Sequence, residues 1–536
     1  MSFVRNDVGN EQLSMFDSLK DLTERERRFL ENSWAKEFSE TIFPAIDEEP
    51  YSVLYSEKDS RPNTPVNVLV GALFIQQLTG QTDDEMVESL MFDTRYQYAL
   101  HTTSYLEQPL SDRSLGRFRQ KLFAYTTESG VDLLKNTEAM LTDKLAHLMG
   151  INQHLRRMDS MMISANVKKL SRLELLYTSV SNLAKKMAVS GYEIPEEQKH
   201  YTENDDRNKF IYHNRAEDAE TKAAKVLADA KVLIELCQEE MDDTSEYMLL
   251  LRVLNEQTNI DDEGNYQLKS AGDETMTSSM LQNPADPEAT FRIKGNEQYV
   301  GYCANFVESS NENGDTLITD YQFEQNTYSD KKFIDEAIEN METQPDDAPV
   351  TIVADGAYTA NEILAKKKNI DVVNTNLSGK ETADIYADFE FNEDGTEIIK
   401  CPGGHSPTSC RFTEKDGSCT ATFSKEHCEN CPFFNQCKPQ KKTRGYKKRA
   451  SLKCKKRAEH KRNRSTEEFK NLTKYRNGVE TIPSLLRRKY AVDKIPVTGK
   501  IRKNIFFCAK IMAINIQKFC KFKQGSARRA LNAALA

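Results

Sequence analysis

No stretch of about 18 uncharged apolar residues occurs in this 536-residue chain, so a membrane-spanning helix is not expected. Met1 to Phe16 mixes acids, amides and one Arg. It has no charged start followed by an apolar run, so the expectation is a cytoplasmic protein without a secretory signal. A Gly-rich phosphate loop of the Walker type is missing, and with it the expectation of a nucleotide cofactor. The eight histidines are scattered, and His147, His154, His200 and His213 form no evident metal pair.

Charge and cysteine are plentiful but uneven. The net charge is −10, yet the 28 residues from Lys438 to Ser465 hold fourteen Lys or Arg against the single acid Glu459. A pI of about 5.6 argues against nucleic acid as a partner; the local block argues for it, unless it is a solvated basic linker. Seven of the eleven cysteines fall between Cys401 and Cys454. In a cytoplasmic chain such crowding points to a local cause other than disulfides. Cys237, Cys303, Cys508 and Cys520 stand apart and read as core residues.

The length suggests two to four domains. Residues 1–150 read as helical. Leu19, Leu22 and Phe29 suggest a first amphipathic helix. Val66 to Leu78 follows Thr64-Pro65, with Pro65 suited to a first helical turn. Thr82-Asp83-Asp84-Glu85 caps a helix through Leu90, and Ser111 or Asp112 caps one with Phe118, Leu122 and Tyr125 on its apolar stripe. Residues 157–164 are a strand candidate. Residues 165–285 are polar and helical, with a long helix over Ala216–Glu239, and look like an insertion. Gln298–Val307 and Thr316–Phe323 form a hairpin across Asn311-Glu312-Asn313-Gly314-Asp315. Pro349–Ala354 is a strand, Thr359–Lys368 a helix, Asp371–Asn374 a strand, and Ile505–Phe522 a final apolar helix. This pattern fits a mixed α/β sheet with helices around it.

Three carboxylates stand out. Asp355 ends an apolar strand and precedes Gly356, at the strand end where open α/β sheets place ligands; a plain turn Asp is the alternative. Asp159 sits within an apolar strand, where a charge is costly unless it is paired or metal-bound, or else faces outward. Lys168, Lys169 and Arg172 follow it within reach of phosphate. Glu480 lies between Arg476 and Arg487 at spacings that return to one face of a regular helix. Ordinary ion pairing on a helix surface is the alternative there, and Pro483 requires a kink or a fresh start near Ser484. Three converging carboxylates would suit two divalent metals over a phosphodiester.

Cys428-x2-Cys431-x5-Cys437, together with Cys401 of Cys401-Pro402-Gly403-Gly404-His405, is a set able to complete a structural zinc site. Cys410, Cys419, His405 and His427 compete as ligands. A zinc knuckle here would anchor the basic segment, whose Lys447, Lys448, Arg449, Lys455, Lys456 and Arg457 would contact phosphates.

These segments together resemble a bacterial insertion-sequence transposase of the DDE type. The resemblance rests on Ser114-Leu115-Gly116-Arg117-Phe118-Arg119, on the Asp159 strand with Lys168-Lys169-Leu170-Ser171-Arg172, and on Gly301-Tyr302. Ala354-Asp355-Gly356-Ala357-Tyr358 and the late Arg-x3-Glu-x6-basic segment complete it. That last segment is similar to the Tyr-Arg-Glu-Lys signature of one transposase group. Arg476 and Glu480 match it, whereas Arg487 stands where Lys is usual and Tyr475 directly precedes Arg476.

The resemblance implies an RNase-H-like mixed sheet flanked by helices, with Asp159, Asp355 and Glu480 as catalytic triad. It also implies two Mg²⁺ or Mn²⁺ per site, cleavage and strand transfer of DNA ends, and a homodimer on terminal inverted repeats and target DNA. The expected divisions are a helical DNA-binding domain 1–150, a first catalytic part 151–395 with an insertion at about 165–285, and a cysteine-rich insertion 396–440. A basic arm 441–466 and a second catalytic part 467–536 follow. An RNase-H-like nuclease without strand transfer, or a non-catalytic zinc-containing DNA-binding descendant, is the competing expectation.

Overall fold

The computed structural model describes residues 1–6, 17–58, 61–104, 110–212, 218–237, 241–270, 272–341, 348–376 and 382–535. The chain is mixed α/β and divides into two compact units. The first comprises Met1–Gln153, Asp159–Phe333 and Thr481–Ala536; the second comprises His154–Met158 and Ile334–Glu480. No described helix is long and apolar enough to cross a membrane.

The first unit begins with helices. The leading one, Glu24–Glu31, starts after Leu19 and Leu22, and it buries Leu30 while Phe29 is exposed. The predicted amphipathic stripe is therefore displaced. Helix α1 (Val66–Thr79) is buried over Val66–Gln76, because it is apolar on all sides. Pro65 is its N-cap, one residue earlier than expected, and Gly80 ends it at φ 76°. Helix α2 (Asp83–Phe92) opens with the expected capping box of Thr82 and Glu85. Helix α3 (Ser114–Ser129) starts at Ser114 behind Arg113, so neither Ser111 nor Asp112 is its cap; Phe118 and Leu122 are buried as expected. Helix α4 is Leu133–Met149.

Strand β1 (Asn152–Ser164) is longer than expected. Beyond it lie β2 (Thr290–Lys294), β3 (Glu297–Ser310) and β4 (Thr316–Gln325), paired antiparallel in sequence order. The β3–β4 turn is the predicted one, with Asn311 Oδ1 accepting from the Asn313 and Asp315 N–H groups at 3.0 Å each. Gly301 of β3 has φ 150°, and a Cβ there would stand 2.3 Å from the Ile163 carbonyl. Only glycine permits that approach of two backbones.

The terminal helix, Lys500–Leu535, packs on α1, α4 and β4. Its fully buried Asn515 accepts from Ile318 N–H at 3.0 Å and donates to Ile318 O at 2.9 Å and Thr142 Oγ1 at 3.0 Å. A single amide thus satisfies a strand and ties two helices to it.

The polar stretch after β1 folds as a wing. It holds α5 (Arg172–Val189), α6 (Asp218–Cys237), α7 (Ser245–Gln257) and a small hairpin, Thr258–Ile260 with Tyr266–Leu268. The ends of the predicted Ala216–Glu239 helix lie outside the described residues. Leu176, Val180, Leu183, Tyr201, Leu233 and Leu250 form part of its own core.

In the second unit, the first half of β1 pairs parallel with β5 (Val350–Ala354), Arg157 beside Val353, and β5 pairs parallel with β6 (Ile370–Asn374). A separate antiparallel sheet follows, ordered β7 (Ser409–Thr413), β8 (Ser418–Phe423), β10 (Gly445–Ala450), β9 (Gln440–Lys442). Helices α8 (Leu452–Asn463) and α9 (Glu467–Asn477) complete the unit. The segment expected as a basic arm, 441–466, is therefore two strands and a helix. Its alternation sends Tyr446 and Ala450 inward and Lys447 and Arg449 outward.

Candidate active site and cysteine cluster

Asp355 begins the turn that leaves β5. Its Oδ1 accepts from Ala357 N–H at 2.8 Å. Asn374, at the end of β6, donates to the Asp355 carbonyl at 2.7 Å and the Tyr358 carbonyl at 2.9 Å. His460 of α8 donates in turn to Asn374 O at 2.6 Å, so the basic helix is tied to the strand end that fixes the Asp355 turn.

Glu480 arrives by another route. Helix α9 stops at Asn477, a 3₁₀ turn spans Gly478–Glu480, and a new helix, Thr481–Arg488, contains Pro483 in its first turn. The continuous helix that would place Arg476, Glu480 and Arg487 on one face is absent, because Pro483 lacks the N–H such a helix requires. Arg476 and Glu480 still meet, at 2.6 Å. Arg476 also stands 3.9 Å from Asp355, and its side chain is 8% exposed against 40% for Asp355 and 60% for Glu480. One buried guanidinium therefore draws two open carboxylates toward a common point, where a cation from solvent can reach them.

The residues around Arg476 hold it there. Tyr475 OH donates to Leu155 O at 3.1 Å, and Arg157 donates to Tyr475 O at 2.5 Å while lying 4.8 Å over its ring. A Cβ on Gly478 would come within 2.1 Å of Arg157 Nη1, so a side chain there would push the guanidinium off Tyr475. These partners lie more than 300 residues apart in sequence, and no spacing rule reveals them.

Asp159 is half-buried on β1 between buried Met158 and Ser160, and Ser160 donates to Asp330 at 2.8 Å. The cations that follow it have partners within the chain. Arg172 donates to Gln257 Oε1, Gln257 O and Lys269 O at 2.9, 3.0 and 2.8 Å, so it braces α5 against α7. Lys168 pairs with Glu174 at 2.7 Å and donates to Tyr212. Burial opposes ionisation of Glu174, but hydrogen bonds from Lys168, Ser171 and Tyr212 hold its carboxyl at about 2. Lys169 is exposed and donates to Gln298 O at 2.8 Å. Arg487 donates to Met162 O at 2.9 Å and pairs with Asp493 at 3.3 Å. Asp493 also accepts from Ser164 N–H at 2.8 Å, a contact with no sequence signal.

The cysteine cluster is assembled by turns. Cys401 N–H donates to His405 O at 3.0 Å, with Gly404 at φ 79° inside the loop, and Cys431 N–H donates to Cys428 O at 3.2 Å. The Cys431 and Cys401 sulfurs lie 3.2 and 3.7 Å from the point a Cβ on Gly403 would occupy. Burial, then the nearby thiols of Cys401, Cys437 and Cys431, pushes Cys428 up to about 11. The His405 and His427 rings stack at 4.0 Å between centroids. Cys419 is buried in the sheet core with Cys410 packed against it, so these two are structural neighbours. Cys237, Cys303, Cys508 and Cys520 are buried, as expected. Among the described residues, no three His, Cys, Asp or Glu side chains form a ready-made metal site.

The outer face of this sheet is basic. Arg411 of β7 and Arg449 of β10 both stand opposite Thr420 of β8, and Lys447 lies between Thr422 and Gln440. Lys447 and Arg449 are exposed, and Arg449 pairs with Asp416. Lys448, on the opposite face, caps Cys437 O and lies 4.7 Å over Tyr386. On α8, Lys455 pairs with Glu459 at 3.8 Å, Lys456 is exposed and Arg457 is half-buried.

Two family models match the chain. Residues 400–520 match a transposase DDE domain, and residues 24–121 match a transposase domain of the DUF772 type. The first span contains the cysteine cluster, the basic face, Arg476 and Glu480; the second contains α1, α2 and the start of α3. No curated protein matches the chain, and no solved structure does.

Proposed function

We propose that the chain acts as an insertion-sequence transposase of the DDE type, in which Asp159, Asp355 and Glu480 are the carboxylates that cleave DNA ends and join them to target DNA. The observation that carries this reading is Arg476, which brings Asp355 and Glu480 together from segments 125 residues apart. Asp159 is assigned as the third carboxylate from the resemblance, two residues along the chain from Arg157, which lies beside Val353. We read the parallel strands and antiparallel hairpin as an RNase-H-like sheet, and the cysteine-rich sheet as an insertion within it.

The open carboxylates suit the divalent metals that the family implies. Exposed carboxylates suit Mg²⁺ or Mn²⁺, which when bound activate the attacking hydroxyl and offset charge on the leaving oxygen. Arg476 holds the carboxylates oriented and partly offsets their mutual repulsion. Tyr475, Arg157 and Gly478 fix Arg476. Four thiols on tight turns suit Zn²⁺ as a structural ion; we assign Cys401, Cys428, Cys431 and Cys437 to it. Lys447, Arg449, Lys456 and Arg457 then meet the phosphates of double-stranded DNA, whereas Lys168 and Arg172 serve the wing. Two DNA ends must be paired for transposition, so a homodimer on DNA follows.

The test is Asp355→Asn. Metal-dependent cleavage of inverted-repeat DNA should be lost while DNA binding persists, and unchanged cleavage would refute the assignment. Transfer of a labelled end into plasmid DNA separates a transposase from a nuclease that only cuts.

A further inference from the structure

A cleft of about 570 Å³ opens in the first unit, and none of the three carboxylates lines it. The end of α1, the start of α2, the face of α3 and the terminal helix form its walls, and Arg119, Lys489, Arg502 and Lys510 bring four positive charges to them. Asp83 is the one acid in the lining, and Arg119 engages it. Among the described residues the other three cations have no carboxylate partner. Lys510, largely buried, donates to the neutral Gln77 amide at 2.6 Å; Arg502 lies 3.9 Å over the Phe123 ring and Lys489 5.2 Å over the Tyr490 ring. A wall with this excess of uncompensated cations favours an anionic occupant.

A second observation narrows the occupant. Gln76 is 2% exposed, and its Oε1 is buried without a hydrogen-bond partner among the described residues. Its orientation is fixed, because Nε2 donates to Asp83 at 2.6 Å and a flip would set oxygen against carboxylate. Gln81 Oε1 and Arg119 Nη1 are also buried without a partner. Orphaned buried groups of this kind are costly, and a ligand that pairs them recovers that cost. Inorganic phosphate would serve the cations and Arg119. It offers no N–H to the two glutamine oxygens. A nucleotide offers both: phosphate oxygens for the cations, and an exocyclic amino group with two N–H donors for the glutamines. Phe506, half-buried in the lining with Arg119 4.9 Å over its ring, adds an apolar surface beside the cations. The volume lies within the usual range for small-ligand sites.

We propose that this cleft is a nucleotide site, selecting a phosphate that carries an amino-bearing base. The nucleotide is either free or an unpaired residue of a DNA strand. The proposal does not depend on the catalytic assignment.

Calorimetric titration of the full chain, without divalent metal, tests it. The expected result is that dCMP binds at least tenfold more tightly than dTMP or inorganic phosphate. Lys489→Ala with Arg502→Ala, both at exposed positions, should weaken dCMP binding at least tenfold with an unchanged Tm. Gln81→Leu should erase the preference for dCMP over dTMP. A duplex with one unpaired dC that displaces dCMP better than a fully paired duplex assigns the site to DNA; no such advantage assigns it to the free nucleotide. Binding of dCMP no tighter than that of phosphate, or undiminished in the double variant, overturns the proposal.

Discussion

The wing and the cysteine-rich sheet are both appended to the central strands, and they solve the same problem differently. The wing buries a broad set of aliphatic and aromatic side chains on α5, α6 and α7, and its buried Asp229 accepts from Gln198 and Tyr201 at 2.7 and 2.8 Å. It carries enough core to stand on apolar burial. The cysteine-rich sheet has a core of Phe389, Ile398, Cys419, Ala421, Phe423 and Ala450. A core that small needs a staple, and the thiols packed around it are the material for one. The difference teaches that the wing holds itself together by apolar burial, whereas the basic region has a small core rimmed by thiols and a surface rich in cations.

Removing metal is the sharpest way to break this comparison. Chelation, or Cys428→Ser with Cys431→Ser, should abolish amide-exchange protection over residues 401–450 and leave the wing protected. Structural zinc contributes on the order of 10 kcal/mol in small domains. A purified chain that contains no metal, and is indifferent to chelators, removes the distinction.

The reciprocal change is Leu183→Ala in the wing, where the side chain is fully buried. It should cost about 2–5 kcal/mol in denaturant unfolding followed by a wing probe, with the cysteine-rich sheet unaffected. Equal loss in both regions would show that they do not fold as separate cores.

Acid should also separate them. Glu174 is held at about 2 against an ordinary 4.5. Its contribution is therefore complete above pH 4.5 and is lost as pH falls from 4.5 toward 2. Thiolate ligands take up protons at higher pH than that, so the cysteine-rich sheet should open first on acidification. Glu174→Gln should flatten the wing's own loss below pH 4.5, read by exchange protection in α5. The reverse order of opening would contradict the zinc assignment.

The smallest effect concerns the basic face. Lys447→Ala with Arg449→Ala should lower the slope of log affinity against log salt by about 1–2 for duplex DNA, with little change in sequence preference. An unchanged slope would move the phosphate contacts elsewhere.

How much was legible in the sequence follows from the range of each interaction. The β3–β4 hairpin was readable because alternation and the Asn311–Asp315 turn are local. The α2 cap was readable for the same reason. Pro483 gave warning that the Glu480 helix breaks, but not that a 3₁₀ turn would still carry Glu480 to Arg476. Asp355 could be placed at a strand end from its own neighbours. Arg172 could not be assigned, because its partners lie 85 and 97 residues away. The basic segment looked like an arm because charge density hides alternation; only pairing with β8 shows which cations face outward. The cleft's lining runs from Gln76 to Lys510, and no window of sequence contains it.

The parallel pairing of β1 with β5 joins residues about 200 positions apart, as in Leu155 beside Thr351. At synthesis rates of roughly 5–20 residues per second, β1 waits on the order of 10–40 s for its neighbour to leave the ribosome. Glu480 emerges later still. On the proposed triad, a growing chain is chemically silent until Glu480 has been made, and a truncated product that ends before it holds the basic sheet without the means to cut.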